Sequence, residues 1–135
     1  MFELSINLAA VLVAAAAATV FSAAWYSQRL LGVAWLKEVG KSSAEIKKKM
    51  HAKLAAAFAT VLITSGVLDV FIRSVGANTI AQGMLVGLVA WFGFRLSRHW
   101  IATVFGTSSA KHFLLNSFHD LIQFLILGAI LGFMG

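Results

Sequence analysis

The 135 residues contain no cysteine, which removes disulfides, thiolate metal sites and cysteine nucleophiles together and leaves the redox compartment open. Charge is scarce as well. Charged residues make up 12% of the chain against 60% hydrophobic, and the mean hydropathy is +0.88. A soluble domain of that composition would leave too much apolar surface uncovered. No Lys or Arg precedes Arg29, and Glu3 is acidic. The basic leader of a signal peptide is therefore missing, and the first apolar run is expected to persist as a span. The sequence also lacks a nucleophile elbow, a phosphate-cradling glycine loop and a paired-carboxylate pattern, so an enzyme is the least supported class. Its four histidines show neither His-x-x-x-His nor Glu-x-x-His spacing, and no two are expected to be buried at matching depth on two helices. That argues against haem or zinc, and no cofactor is expected.

What is present is a series of long, nearly uncharged apolar runs. They predict an all-α polytopic membrane protein, a single domain over 1–135, with four transmembrane helices in an antiparallel bundle spanning about 4–26, 52–73, 79–96 and 111–134. Barrel strands would alternate in short segments and do not fit. Arg29, Lys37, Lys41, Lys47, Lys48, Lys49 and Lys53 lie in the first connection, Arg95, Arg98 and Lys111 flank the third, and only Arg73 lies on the other side. The positive-inside rule then makes both basic connections cytoplasmic and both termini external, in a cell inner (cytoplasmic) membrane. A net charge of +6 beside apolar spans points to the lipid bilayer, with anionic headgroups at the Lys47 to Lys53 region, and not to nucleic acid. Ser42-Ser43-Ala44-Glu45 has capping-box spacing and predicts that the second helix starts below the membrane.

Lipid gives helices no hydrophobic reason to associate, so small and polar residues carry the packing signal. Asn7, Ala10, Ala14, Ala18, Ser22 and Trp25 share one face of the first helix. Gly83, Gly87 and Ala90 line the third, and Gly128 and Gly132 repeat the device in the fourth. These faces suit either packing within the chain or a dimer seam. Ser65, Asp69 and Arg73 recur at helical spacing in the second helix, where Asp69 and Arg73 form a structural ion pair by spacing. His112, Asn116, His119 and Gln123 fall within a narrow arc of the fourth helix, with Asp120 at its edge. They predict a polar groove reaching to mid-bilayer. No basic residue lies one turn from Asp120 on its own helix, so that carboxyl must be protonated, partnered or wet. A role in proton or substrate movement and a role as interhelical glue both remain open.

The stretch Trp25-Tyr26-Ser27-Gln28-Arg29-Leu30-Leu31-Gly32-Val33-Ala34-Trp35 resembles the opening motif of a family of small bacterial four-helix membrane proteins catalogued only as a domain of unknown function. That motif reads Trp-Tyr-Ser-Pro, a hydrophobic residue, Gly and a second Trp, and Gln28 stands where the family has proline. The resemblance continues through Gly83-x-x-x-Gly87, Trp91-Phe92-Gly93-Phe94, Val104-Phe105-Gly106 and Asn116-Ser117-Phe118-His119-Asp120-Leu121 to Gly128-Ala129-Ile130-Leu131-Gly132. It implies a four-helix membrane fold and supplies no catalytic residue. Two functions follow as expectations. One is a small transporter or permeation protein acting as a homo-oligomer; the other is an accessory or scaffold subunit of a larger membrane complex.

Overall fold

A computed structural model describes residues 6–26, 37, 40, 44 and 48–134. Ser42, Ser43 and Glu45 of the capping box, Glu3, and the basic residues Arg29, Lys41 and Lys47 lie outside the described residues. The chain is all-α, with no strand among the described residues and four helices long and apolar enough to cross a membrane.

Helix α1 spans Leu8–Trp25 and begins at Asn7, whose Oδ1 accepts the backbone N–H of Ala10 at 3.2 Å. Its small residues Ala10, Ala14 and Ala18 are fully buried, which lets neighbouring helices approach closely. Helix α2 is Met50–Ser74. It ends in a Schellman turn: Gly76 at φ 75 supplies the left-handed residue, Ala77 N–H bonds Ile72 C=O and Gly76 N–H bonds Arg73 C=O. Helix α3 follows after Thr79, whose hydroxyl caps Gln82 N–H, and runs unbroken over Ile80–Val104. Gly106 at φ 76 closes it with a second Schellman turn, Thr107 N–H to Ala102 C=O and Gly106 N–H to Thr103 C=O. Helix α4, Ala110–Met134, starts where Ser109 Oγ accepts His112 N–H.

The third helix is longer than the expected 79–96. Ala90 is followed by a π-helical segment, Trp91–Leu96, and then by α-helix from Ser97 to Val104. The polar run Arg95 to His99 reads in sequence as a connection, but its inward side chains are taken up by the bundle and the helix continues through it. The hydroxyl of Ser97 bonds Gly93 C=O at 2.6 Å inside this segment and satisfies a carbonyl there.

Successive helices run antiparallel. Asn7, Asp69 and Met134 meet at one end of the bundle, and Tyr26 and Asn116 meet at the other. The tightest crossing joins α3 and α4, where a Cβ on Gly83 would overlap the carbonyl of Gly128, one on Gly87 the carbonyl of Phe124, and one on Gly132 the carbonyl of Thr79. The two glycine pairs thus let the backbones touch directly. Phe124, Leu127 and Leu131 of α4 pack with Leu68 and Ile72 of α2 and the α1 alanines to form the core.

Gly128→Val should therefore cost at least about 1–3 kcal/mol through overpacking, read as a lower thermal unfolding midpoint in detergent. Gly66→Ala is the control, since a Cβ there meets nothing within 4 Å; its midpoint should hold or rise, because alanine favours helix over glycine by about 1 kcal/mol. Equal losses in both variants would show that the crossing is not what holds α3 to α4.

Candidate functional site

Ten residues into α4, about 15 Å along its axis, Asp120 is only 5% exposed. A bare carboxylate at that depth would be costly, and here three side chains meet it. Arg95 Nη1 and His99 Nε2, both from α3, donate to Asp120 Oδ2 at 3.2 and 2.7 Å. His119 Nδ1, from the preceding residue of α4, donates to Oδ1 at 2.9 Å. The guanidinium also lies over the Phe124 ring, 5.3 Å from its centroid.

The network extends into α1. His119 Nε2 is 2.7 Å from Ser22 Oγ, and Gln123 Nε2 donates to the same hydroxyl at 3.1 Å. A neutral His119 carrying its proton on Nδ1 fits every partner: it donates to Asp120, accepts the Ser22 hydroxyl proton at Nε2, and leaves the Ser22 oxygen to accept from Gln123. The imidazole is stacked on Phe21 and flanked by Trp25 and Tyr26, which fixes its plane. Trp91 Nε1 bonds Ser117 C=O at 2.9 Å and ties the π segment to α4 beside the cluster.

The expected groove divides into two parts. His119, Asp120 and Gln123 form the buried seam just described. His112 and Asn116 stand nearer the start of α4, where Asn116 Nδ2 meets His112 Nε2 at 2.6 Å and Asn116 Oδ1 accepts the Tyr26 hydroxyl proton. Because His119, Asp120 and Gln123 are each less than a tenth exposed, that part of the stripe is a packed seam, whereas His112 and Asn116 are half-buried. His99 and His119 reach the same carboxylate from two helices, His119 buried and His99 half-buried. Even so, no group of three metal-ligating side chains suited to a metal ion occurs among the described residues.

Arg95 and His99 were invisible to helical spacing for a definite reason. In an uninterrupted α-helix they lie about 120° and 160° from Gly83, while Phe94 and Arg98 lie about 20° and 60° from it. A π segment holds one extra residue and turns everything beyond it back by roughly 100°. Arg95 and His99 thereby take the places of Phe94 and Arg98, both of which are exposed. The legible signal was that an Asp uncompensated on its own helix in an apolar chain needs a basic partner from another helix.

At the opposite end, Asp69 is fully buried and accepts from Arg73 Nε at 3.1 Å and from the Asn7 backbone N–H at 2.8 Å. Asn7 Nδ2 in turn donates to Met134 C=O at 3.1 Å. The Asp69–Arg73 pair thus clamps the ends of α1, α2 and α4. Asp69 Oδ1 is one of three buried side-chain polar atoms among the described residues that have no hydrogen-bond partner.

Fold and cluster together define a small four-helix polytopic membrane protein with a compensated charge centre inside the bundle. The chain belongs to the family described as Protein of unknown function (DUF1761), whose model matches residues 9–132. Comparison with curated proteins and with solved structures returned no match.

Arg95 is part-buried, and its removal leaves Asp120 with two imidazole donors but without its cationic partner. Arg95→Gln should lower unfolding stability by about 1.5–3 kcal/mol, and Arg95→Gln combined with Asp120→Asn should recover most of that loss. A double-mutant cycle by detergent unfolding measures the coupling. Additive losses would mean the two groups do not compensate each other.

Proposed function

We propose that the protein is a small transporter or permeation protein whose protonation centre is the Asp120 cluster. One observation carries this reading: a single carboxylate within the span is held by two imidazoles and a guanidinium. Arg95 balances Asp120, so the cluster is neutral while both histidines are neutral, and a proton taken up by either imidazole gives it a net positive charge. Histidine is the side-chain type that changes charge near neutral pH. The His112, Asn116 and Tyr26 string leads from the polar end of α4 toward this centre, with the Tyr26 and His119 rings 4.9 Å apart.

The basic first connection supports placing it, together with the Val104 end of α3, on the cytoplasmic side, with both termini external, in a cytoplasmic membrane. Lys48, Lys49 and Lys53, with Lys47 before them, suit anionic lipid headgroups. Four helices enclose little space, which favours a pathway between subunits of a homo-oligomer. A second reading, an accessory or scaffold subunit of a larger membrane complex, is favoured by the closure of the seam. In that reading the saturated hydrogen bonds around Asp120 serve as interhelical glue.

The readings separate by experiment. His99→Gln keeps a donor at the place of Nε2 but cannot titrate, so under transport pH-driven flux in proteoliposomes should fall at least tenfold while assembly size is preserved. Unchanged flux in the variant, or no flux from the parent across cations and amphiphiles, would favour the scaffold reading, which expects changed partner recovery from native membranes instead. Orientation has its own test, helped by the cysteine-free sequence. Ser43→Cys should be protected from impermeant maleimide added outside and Gly135→Cys labelled; the reverse pattern would invert the topology.

A further inference from the structure

Between α2 and α3 the bundle is open to the side. Val67 and Phe71 of α2 face Ala90, Phe94 and Arg95 of α3 across a cleft of ≈ 240 Å³ backed by Phe124. Through Phe71, Ala90 and Phe94 it joins a second lobe of ≈ 450 Å³ that runs past Leu85 toward Val75. The lining is apolar apart from Thr64 and Arg95, and the Thr64 hydroxyl is already donated to Thr60 C=O.

Arg95 is where this cleft meets the Asp120 cluster. Its side chain is 30% exposed and donates one hydrogen bond, to Asp120. A guanidinium carries five N–H donors, and Arg95 lines a cleft whose other side chains, Thr64 apart, bear no acceptor. An apolar chain gains little by leaving lipid for an equally apolar cleft, so selection falls to the charged group. The guest must therefore bring an anion. Depth narrows the choice: Arg95 lies nine residues from the Val104 end of α3, about 13 Å along the helix and below the headgroup plane. A phosphodiester keeps its charge and its bulk on the way in, whereas a carboxylic acid can enter neutral. From Leu85 to Arg95 the cleft follows about 15 Å of helix, room for an extended chain of roughly a dozen carbons.

We propose that this lateral cleft binds a single-chain long-chain carboxylic acid from the bilayer, its chain along Phe71 and Leu85 and its carboxylate on Arg95. The acid's O–H bond breaks as an N–H bond forms on an imidazole of the cluster, and Arg95 donates to the guest carboxylate. Total charge is unchanged, since the imidazolium formed balances the carboxylate formed. The binding site stands on the cleft and Arg95; the proton exchange rests on the protonation centre proposed above.

The test uses the full chain in phosphatidylcholine nanodiscs with palmitate carrying ¹³C at the carboxyl carbon, at a pH where palmitate in protein-free nanodiscs is half protonated. The expected result is one saturable carboxylate resonance per chain, at the ionised position. Hexadecanol, which has the chain without the acid, should not displace it at tenfold excess. Affinity should fall at least tenfold in Arg95→Gln with Asp120→Asn, a pair chosen to keep the cluster neutral. It should fall likewise in Val67→Trp, which fills the Arg95 lobe from a position already 51% exposed. Displacement by hexadecanol, unchanged affinity in either variant, or a parent protein whose cleft is covered by a second copy and binds no palmitate would overturn the proposal. Binding is read at equilibrium without a gradient. Loss of flux in His99→Gln therefore leaves it standing, and intact flux without palmitate binding removes only the cleft's occupant.

Discussion

A carboxylate inside an apolar layer has no water to solvate it, and most of this bundle is arranged around that constraint. Asp120 takes its hydrogen bonds from α3 through Arg95 and His99 and from α4 through His119. It is linked to α1 through Ser22 on the far side of the His119 ring. One charge thereby sets the relative positions of three helices. Ordinary interhelical hydrogen bonds in membranes are worth only about 0.6 kcal/mol on average, so a compensated ion pair, whose breaking costs several times more, dominates the specificity of this packing.

The same requirement recurs at the opposite end with different partners. Asp69 is compensated by Arg73 one turn along α2 and by the first free N–H of α1, where the helix dipole also favours a negative charge. Here α2 is joined firmly to α1 and α4, with the Ser65 hydroxyl bonded to Val11 C=O one turn below. Toward its Met50 end α2 is less covered, and positions 51–57 are exposed. A helix fixed at one end and loosely packed along α3 leaves the lateral cleft that reaches Arg95.

Between the two charge centres, the α3–α4 crossing and the π segment act as a single device. Direct backbone contact at Gly83, Gly87, Gly128 and Gly132 fixes the spacing and register of the two helices. With register fixed, an uninterrupted α-helix would carry Arg95 and His99 past Asp120 on the wrong side, and the extra residue of the π segment corrects this. Trp91, bonded to Ser117 C=O at the start of that segment, anchors the correction. The glycine contact therefore serves the electrostatics as much as the packing.

Composition and periodicity by themselves determined that the chain is helical, that it has four membrane-length spans, and that Gly83, Gly87, Gly128 and Gly132 lie on helix faces suited to close approach. These are local properties, because hydropathy and a 3.6-residue repeat are written in consecutive residues. The Asp69–Arg73 pair was legible for the same reason, both partners lying on one helix a turn apart. Only the tertiary structure decided what compensates Asp120. Its partners Arg95 and His99 come from another helix, and the backbone between them and the glycine face departs from the repeat on which sequence reading depends. It also decided that α1 closes the stripe of α4 at His119, Asp120 and Gln123, since whether a polar face meets water or protein depends on the neighbouring helix and not on the face itself.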